Sequence, residues 1–165
     1  MAQTKERGVN VALRGSLSPR HIPDDTVIGH TDGSWHEENQ IAGLGWTFHH
    51  SEASNANTTL LDKGSQAEQF VNSPLMAEAL AMRLAIKKAM ERGISRIIMH
   101  SDSLVLINAI ASPHPIKGIS GILQDIKAYV PLFPLIEFRH VLRTNNVLVD
   151  SLAKRTVKTM YDETL

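Results

Sequence analysis

Apolar and polar positions alternate most clearly at residues 41–48, where Ala42, Leu44, Trp46 and Phe48 share one side and Gly43 and Gly45 fall on the other. Period two with one apolar face predicts a strand lying on a core. Upstream, residues 26–32 (TVIGHTD) are β-branched and run into Asp32-Gly33-Ser34, a strand closed by a turn signal. The polar run 50–57 reads as a loop and residues 58–63 as a third strand, so these elements form an antiparallel hairpin. The period then changes. Ser73 and Pro74 suit a helix start, residues 75–92 are rich in Ala, Leu, Met and Lys, and Gly93 stops them. Ala77, Ala81, Leu84, Ala85 and Ala89 form a small-residue stripe that allows close packing on a sheet. Residues 96–101 (RIIMHS) are apolar on both faces, as in a central strand. Helices are predicted over 104–111 and, after Pro113-His114-Pro115, over 118–129. Residues 135–142 alternate again, with Ile136, Phe138 and His140 against Glu137 and Arg139, and Asn145 or Asn146 caps a last helix reaching about residue 160.

The order β-β-β-α-β-α-α-β-α describes an α/β domain, a mixed sheet with helices on its faces. Residues 26–160 make the folded unit, 1–25 a flexible leader and 161–165 a tail. A chain of 165 residues fits one such domain, and 42% apolar with 21% charged residues excludes wholesale disorder. With no cysteine, a disulfide scaffold, a thiol nucleophile and a Cys-based metal site are excluded. Seventeen basic residues balance seventeen acidic ones, so no strongly basic nucleic-acid surface shows in bulk. The most apolar stretch, residues 128–138, is too short to span a bilayer and holds Pro131 and Pro134. The expectation is a soluble intracellular protein of nucleus or cytoplasm, neither organellar nor secreted.

Four acids change the picture. Asp32 and Asp102 end strands, while Glu78 and Asp150 sit in the first turns of helices. Parallel neighbouring strands would bring Asp32 beside Asp102 at a carboxyl edge, where open α/β sheets place their ligand sites. Clustered carboxylates repel one another and make sense around hard divalent cations. Two such ions about 3.5–4 Å apart clamp the attacking and leaving oxygens of a phosphodiester. The plainer reading treats each acid as a solvated turn residue or a helix N-terminal charge.

The segments Ile28-Gly29-His30-Thr31-Asp32 and Ile98-Met99-His100-Ser101-Asp102 share the pattern Ile-x-His-[Thr/Ser]-Asp. Each histidine thus lies behind its aspartate on one strand face. The simpler expectation is two buried neutral histidines; the functional one is a second shell that tunes a metal site and makes activity depend on pH near about 6–7. Elsewhere, His49-His50 reads as a solvated strand end and Lys87-Lys88 as a solvated helix face. Trp35 packs against a loop, and Met76, Met82 and Met90 belong to the core.

Five segments together carry a resemblance: Thr31-Asp32-Gly33-Ser34, Gly43-Leu44-Gly45-Trp46, Ala77-Glu78-Ala79-Leu80-Ala81, Ser101-Asp102-Ser103, and Asn146 followed by Asp150-Ser151-Leu152-Ala153-Lys154. In this order they resemble a ribonuclease H domain, particularly the type found in plant proteins and retroelement-derived genes, over about residues 26–158. The resemblance implies a five-stranded mixed sheet with the second strand antiparallel. It implies two Mg²⁺ ions (Mn²⁺ as the alternative) held by Asp32, Glu78, Asp102 and Asp150. The implied reaction is hydrolysis of the RNA strand of an RNA–DNA hybrid, leaving a 3′-hydroxyl and a 5′-phosphate, with Ser34, Asn146 and Arg143 near the substrate. Many relatives carry a loop histidine before the last helix. His140 stands ten residues before Asp150, yet its alternation puts it in a strand. A helper histidine is therefore expected to be absent, with Arg143 facing the substrate and His140 at most in the second shell. The family's basic protrusion is missing, since residues 111–134 hold only Lys117 and Lys127 as bases. The chain is expected to be monomeric. The alternative is a domesticated or retroelement-derived domain with little activity alone, binding nucleic acid or protein, or one domain of a reverse transcriptase polyprotein.

Overall fold

The computed structural model describes residues 11–12, 25–50 and 60–163. Strands β1 (Val11–Ala12), β2 (Val27–His36), β3 (Ile41–His50) and β4 (Leu60–Glu68) precede helix α1 (Pro74–Glu91). They are followed by β5 (Arg96–Ser101), α2 (Leu104–Ala111), α3 (Ser120–Tyr129), β6 (Leu135–His140) and α4 (Val147–Glu163). One sheet runs in the order β1-β6-β5-β2-β3-β4. Strands β2, β5 and β6 are parallel, and β3 is antiparallel to both β2 and β4. The five long strands are thus the expected mixed sheet with its second strand reversed.

Each face is closed by a helix chosen through small residues. On one face α1 buries Ala77, Ala81, Ala85 and Ala89 against a core that includes Leu44, Trp46 and Phe48. Ser73 Oγ accepts the Met76 N–H at 3.0 Å to cap α1, with Pro74 in its first turn, and Gly93 at φ 69° ends it. On the other face α4 lies against Gly43 and Gly45. A Cβ on Gly45 would sit 2.8 Å from the Val149 carbonyl oxygen, so these glycines seat a helix.

Several expectations are corrected. Asp32-Gly33-Ser34 is no turn: β2 continues to His36. A Cβ on Gly33 would lie 2.7 Å from the Glu78 nitrogen, so the glycine is there for the close approach of α1. The third long strand is Leu60–Glu68, later than expected, because an edge strand with little burial hides behind Lys63, Ser65 and Gln66. Most of the predicted 50–57 loop lies outside the described residues. Part of the supposed leader joins the sheet, Val11 and Ala12 pairing antiparallel with Phe138 and Glu137. Of the three methionines assigned to the core, Met82 is fully buried whereas Met90 is exposed. Lys88 is half-buried, its ammonium 5.7 Å from the Trp46 ring centroid, so only Lys87 is a solvated face. Trp35 does pack as expected, its indole N–H donating to the Val71 carbonyl at 2.7 Å. No helix among the described residues is long and apolar enough to cross a membrane.

Candidate active site

The parallel register of β2 and β5 pairs His30 with His100 and Thr31 with Ser101. Asp32 and Asp102, the next residues, are therefore neighbours at one end of the sheet. Glu78 reaches them from the start of α1, which Gly33 allows to sit directly on β2. One carboxylate oxygen from each of Asp32, Glu78 and Asp102 lies within 4.8 Å of the others. Asp150, in the first turn of α4, stands close enough to Asp32 for its charge to raise that carboxyl, while Lys154 Nζ holds its Oδ2 at 2.9 Å. Three of the four expected acids thus converge, and the fourth adjoins through Asp32.

The electrostatics are those of a site short of positive charge. Burial, and then the charges of Asp102 and Asp150, push the Asp32 carboxyl up to about 7. Burial and the charges of Asp32 and Asp102 push Glu78 up to about 9. Glu78 Oε2 is buried without a hydrogen-bond partner. A buried carboxylate oxygen left unpaired is costly, and a divalent cation would satisfy it while reversing the repulsion. The all-oxygen donor set suits a hard divalent cation.

Glu78 and Asp102 line a cleft of about 300 Å³ whose wall also includes Pro74, Leu75, Ser103, Val105 and Arg143. Arg143, in the short turn before α4, is 86% exposed, with its Nε 3.8 Å from Asp102 Oδ2. It stands at the rim of the cleft. Ser34 is half-buried in β2 opposite Gly43 and does not line this cleft. His140 is the last residue of β6 and pairs with Ser101. Its Nε2 donates to the Asp102 main-chain carbonyl at 3.2 Å, so it lies in a strand, as its alternation implied.

Asn146 departs most from expectation. It is 2% exposed, and its side chain bonds β2 rather than the start of α4. Its amide nitrogen donates to the Thr31 carbonyl at 3.0 Å and its oxygen meets His30 Nδ1 at 2.9 Å. The His30 ring stacks on His49 with centroids 5.3 Å apart and meets His100 edge-on at 4.9 Å. His49 is therefore no solvated strand end but the third member of a histidine cluster. Burial lowers the basicity of all three, most strongly for His100, pushed down to about 3 by burial and then by His30 and Arg139. A second cleft, about 280 Å³, opens beside His30, His49, Asn146 and Leu148 and is lined by none of the four acids. The sequence signal for this cluster was the shared His-x-Asp spacing; only the pairing of β3 with β2 adds His49.

Residues 30–156 match the family described as Reverse transcriptase-like. The uncharacterized protein YpeP of Bacillus subtilis (strain 168) is 28% identical over 152 residues, covering 86% of this chain and 62% of YpeP. The chain therefore spans less than two thirds of that relative's length. Among solved structures, the N-terminal RNase H domain of rv2228c from Mycobacterium tuberculosis, fused to maltose-binding protein, is similar at TM-score 0.74 and 18% identity, over 85% of this chain and 99% of that one. LC11-RNase H1 in complex with RNA/DNA hybrid is similar at TM-score 0.69 and 18% identity, over 82% of this chain and 99% of that one. At such identities the likeness concerns the fold.

Proposed function

Because the chain belongs to the reverse transcriptase-like family and has the RNase H fold, we propose that it is a metal-dependent endonuclease hydrolysing the RNA strand of RNA–DNA hybrids. The observation that carries this reading is the convergence of Asp32, Glu78 and Asp102 with a buried, unpaired oxygen on Glu78. With Asp150 beside them, these acids would hold two divalent ions, Mg²⁺ or Mn²⁺. Such ions supply a nucleophilic water at neutral pH and charge stabilisation on the leaving oxygen. The chain's own contribution is placement. Strands β2 and β5 fix the two aspartates, and α1 and α4 bring the other acids to the same edge. His140 steadies the Asp102 main chain through its carbonyl. Arg143 at the rim receives a phosphate oxygen, and Pro74, Leu75 and Val105 offer an apolar wall to the sugars.

Hybrid is favoured over other nucleic acids because one similar fold, LC11-RNase H1, was solved with RNA/DNA hybrid. Recognition would follow A-form shape, phosphates and 2′-hydroxyls. With the four acids committed to metal, seventeen bases face thirteen other acids, so binding is modest and salt-sensitive. The second reading, a domain that binds without cutting or works inside a longer polyprotein, is favoured by the neutral net charge and by the 62% coverage of YpeP. We place the protein inside the cell as a monomer.

The test is incubation of the chain with end-labelled RNA–DNA hybrid in Mg²⁺ or Mn²⁺, beside single-stranded RNA, duplex RNA and an Asp102→Asn control. Metal-dependent, hybrid-specific cleavage that the variant lacks is the expected result. Binding of metal without cleavage would replace the nuclease with the binding domain.

A further inference from the structure

Asp150 is carried on a helix whose first turn must be held against β2, and Asn146 is built to do this. Its main-chain carbonyl accepts the Asp150 N–H at 3.1 Å, so the two residues share one helical turn. Its buried side chain then bonds β2 at two consecutive residues, His30 and Thr31, immediately before Asp32. The orientation of this amide is forced. The Thr31 carbonyl only accepts, so the amide nitrogen must face it and the amide oxygen must face His30. That oxygen also only accepts, so His30 must carry its proton on Nδ1. One neutral tautomer is thereby selected, and the ring is kept in place by the stack on His49 and the edge contact with His100.

We propose that His30 is a positioning residue: its Nδ1–H, through Asn146, clamps the first turn of α4 to β2 and so sets Asp150 beside Asp32. Without that N–H, the Asn146 oxygen is a buried acceptor with no partner, and the turn bearing Asp150 must move or admit water to satisfy it. An asparagine at position 30 places an amide N–H close to where Nδ1 stands, whereas phenylalanine keeps ring packing and removes the donor. A purely space-filling role for His30 would make phenylalanine the better substitute. Only the effect on catalysis rests on the nuclease reading; the clamp itself does not.

The experiment compares the full chain with His30→Phe and His30→Asn by Mn²⁺ titration calorimetry and by amide hydrogen exchange at the start of α4. His30→Phe is expected to bind Mn²⁺ about tenfold more weakly, in line with the loss of an outer-shell partner, and to exchange the Asp150 amide faster. Its kcat on hybrid should fall by a similar factor with KM unchanged. His30→Asn should recover most of each loss. Mn²⁺ affinity within twofold of the parent and unchanged exchange in His30→Phe would overturn the proposal, as would a His30→Asn variant no better than His30→Phe. Should His30→Phe fail to fold, His30→Met takes its place. A parent chain that cuts no hybrid would remove the nuclease reading, while exchange at Asp150 would still decide the clamp.

Discussion

Two groups of titratable side chains stand two residues apart along β2 and β5, one joined by Glu78 of α1 and the other by His49 of β3, and they are built in opposite ways. Asp32, Glu78 and Asp102 converge with one oxygen unpaired, and the Asp32 and Glu78 carboxyls are held above the ordinary range by burial and neighbouring negative charge. His30, His49 and His100 stack and meet edge-on, and burial holds them neutral. The first group is costly to the folded chain unless a cation joins it. The second carries no repulsion between charges and calls for no cation, although His100 Nδ1 is buried without a hydrogen-bond partner. The same local pattern, histidine two residues before aspartate, yields a binding site at the sheet edge and a support behind it.

The comparison is broken most severely at the acids. Asp102→Asn should lower hybrid cleavage about a thousandfold or more, as loss of a central electrostatic group does, measured by single-turnover cleavage. The same substitution should raise the melting temperature of the metal-free protein by about 2–4 °C, the shift that roughly 1 kcal/mol produces in a domain of this size. A melting temperature lowered by Asp102→Asn would show that the acids do not strain the fold.

The pH dependence separates the two groups. Folded-state values of Asp32 and Glu78 lie above their unfolded values, so the folded chain holds protons that the unfolded chain releases, and stability falls as pH rises. Between about pH 7 and 9 the histidines are neutral in both states, and Glu78 governs the slope. The folded value of His100 lies below its unfolded value, so its contribution is complete above about 6.5 and is lost as pH falls toward 3. Chemical denaturation across pH, without metal, should therefore show stability declining from pH 7 to 9. Glu78→Gln should flatten that alkaline limb, and His100→Phe only the acid one. Each variant flattening the other limb would reverse the assignment.

The smallest effect is expected at Arg143. Its exposed pairing with Asp102 contributes little to stability, so Arg143→Ala should melt within about a degree of the parent. Hybrid binding should weaken several-fold, with a salt dependence shallower by about one phosphate contact. An unchanged salt slope would remove Arg143 from the substrate path.

What was legible in the sequence follows from where burial is one-sided or complete. Strand β3 alternates because its Leu44 and Trp46 side faces the main core while Gly43 and Gly45 on the other side seat α4, and β5 reads as central because both its faces carry apolar side chains. The four acids were legible through their local motifs, although Asp32 lies within β2 rather than at its end. The edge strand β4 was misplaced because little of it is buried. Gly33 was read as a turn because sequence does not distinguish a glycine that bends the chain from one that admits a helix. Asn146 was read as a helix cap because the partners of its side chain, His30 and Thr31, lie over a hundred residues away. Such pairing follows from tertiary structure, not from local pattern.

The central claim is that the carboxylates are strained until a cation binds. Its most direct test is calorimetric titration of the full chain with Mn²⁺ at pH 7 in buffers of different ionisation enthalpy, which counts protons released on binding. Because Asp32 and Glu78 are held partly or wholly protonated, binding should release about one proton or more per chain, and Asp102→Asn should bind far more weakly. Binding with no proton release, or with equal affinity in the variant, would contradict the account.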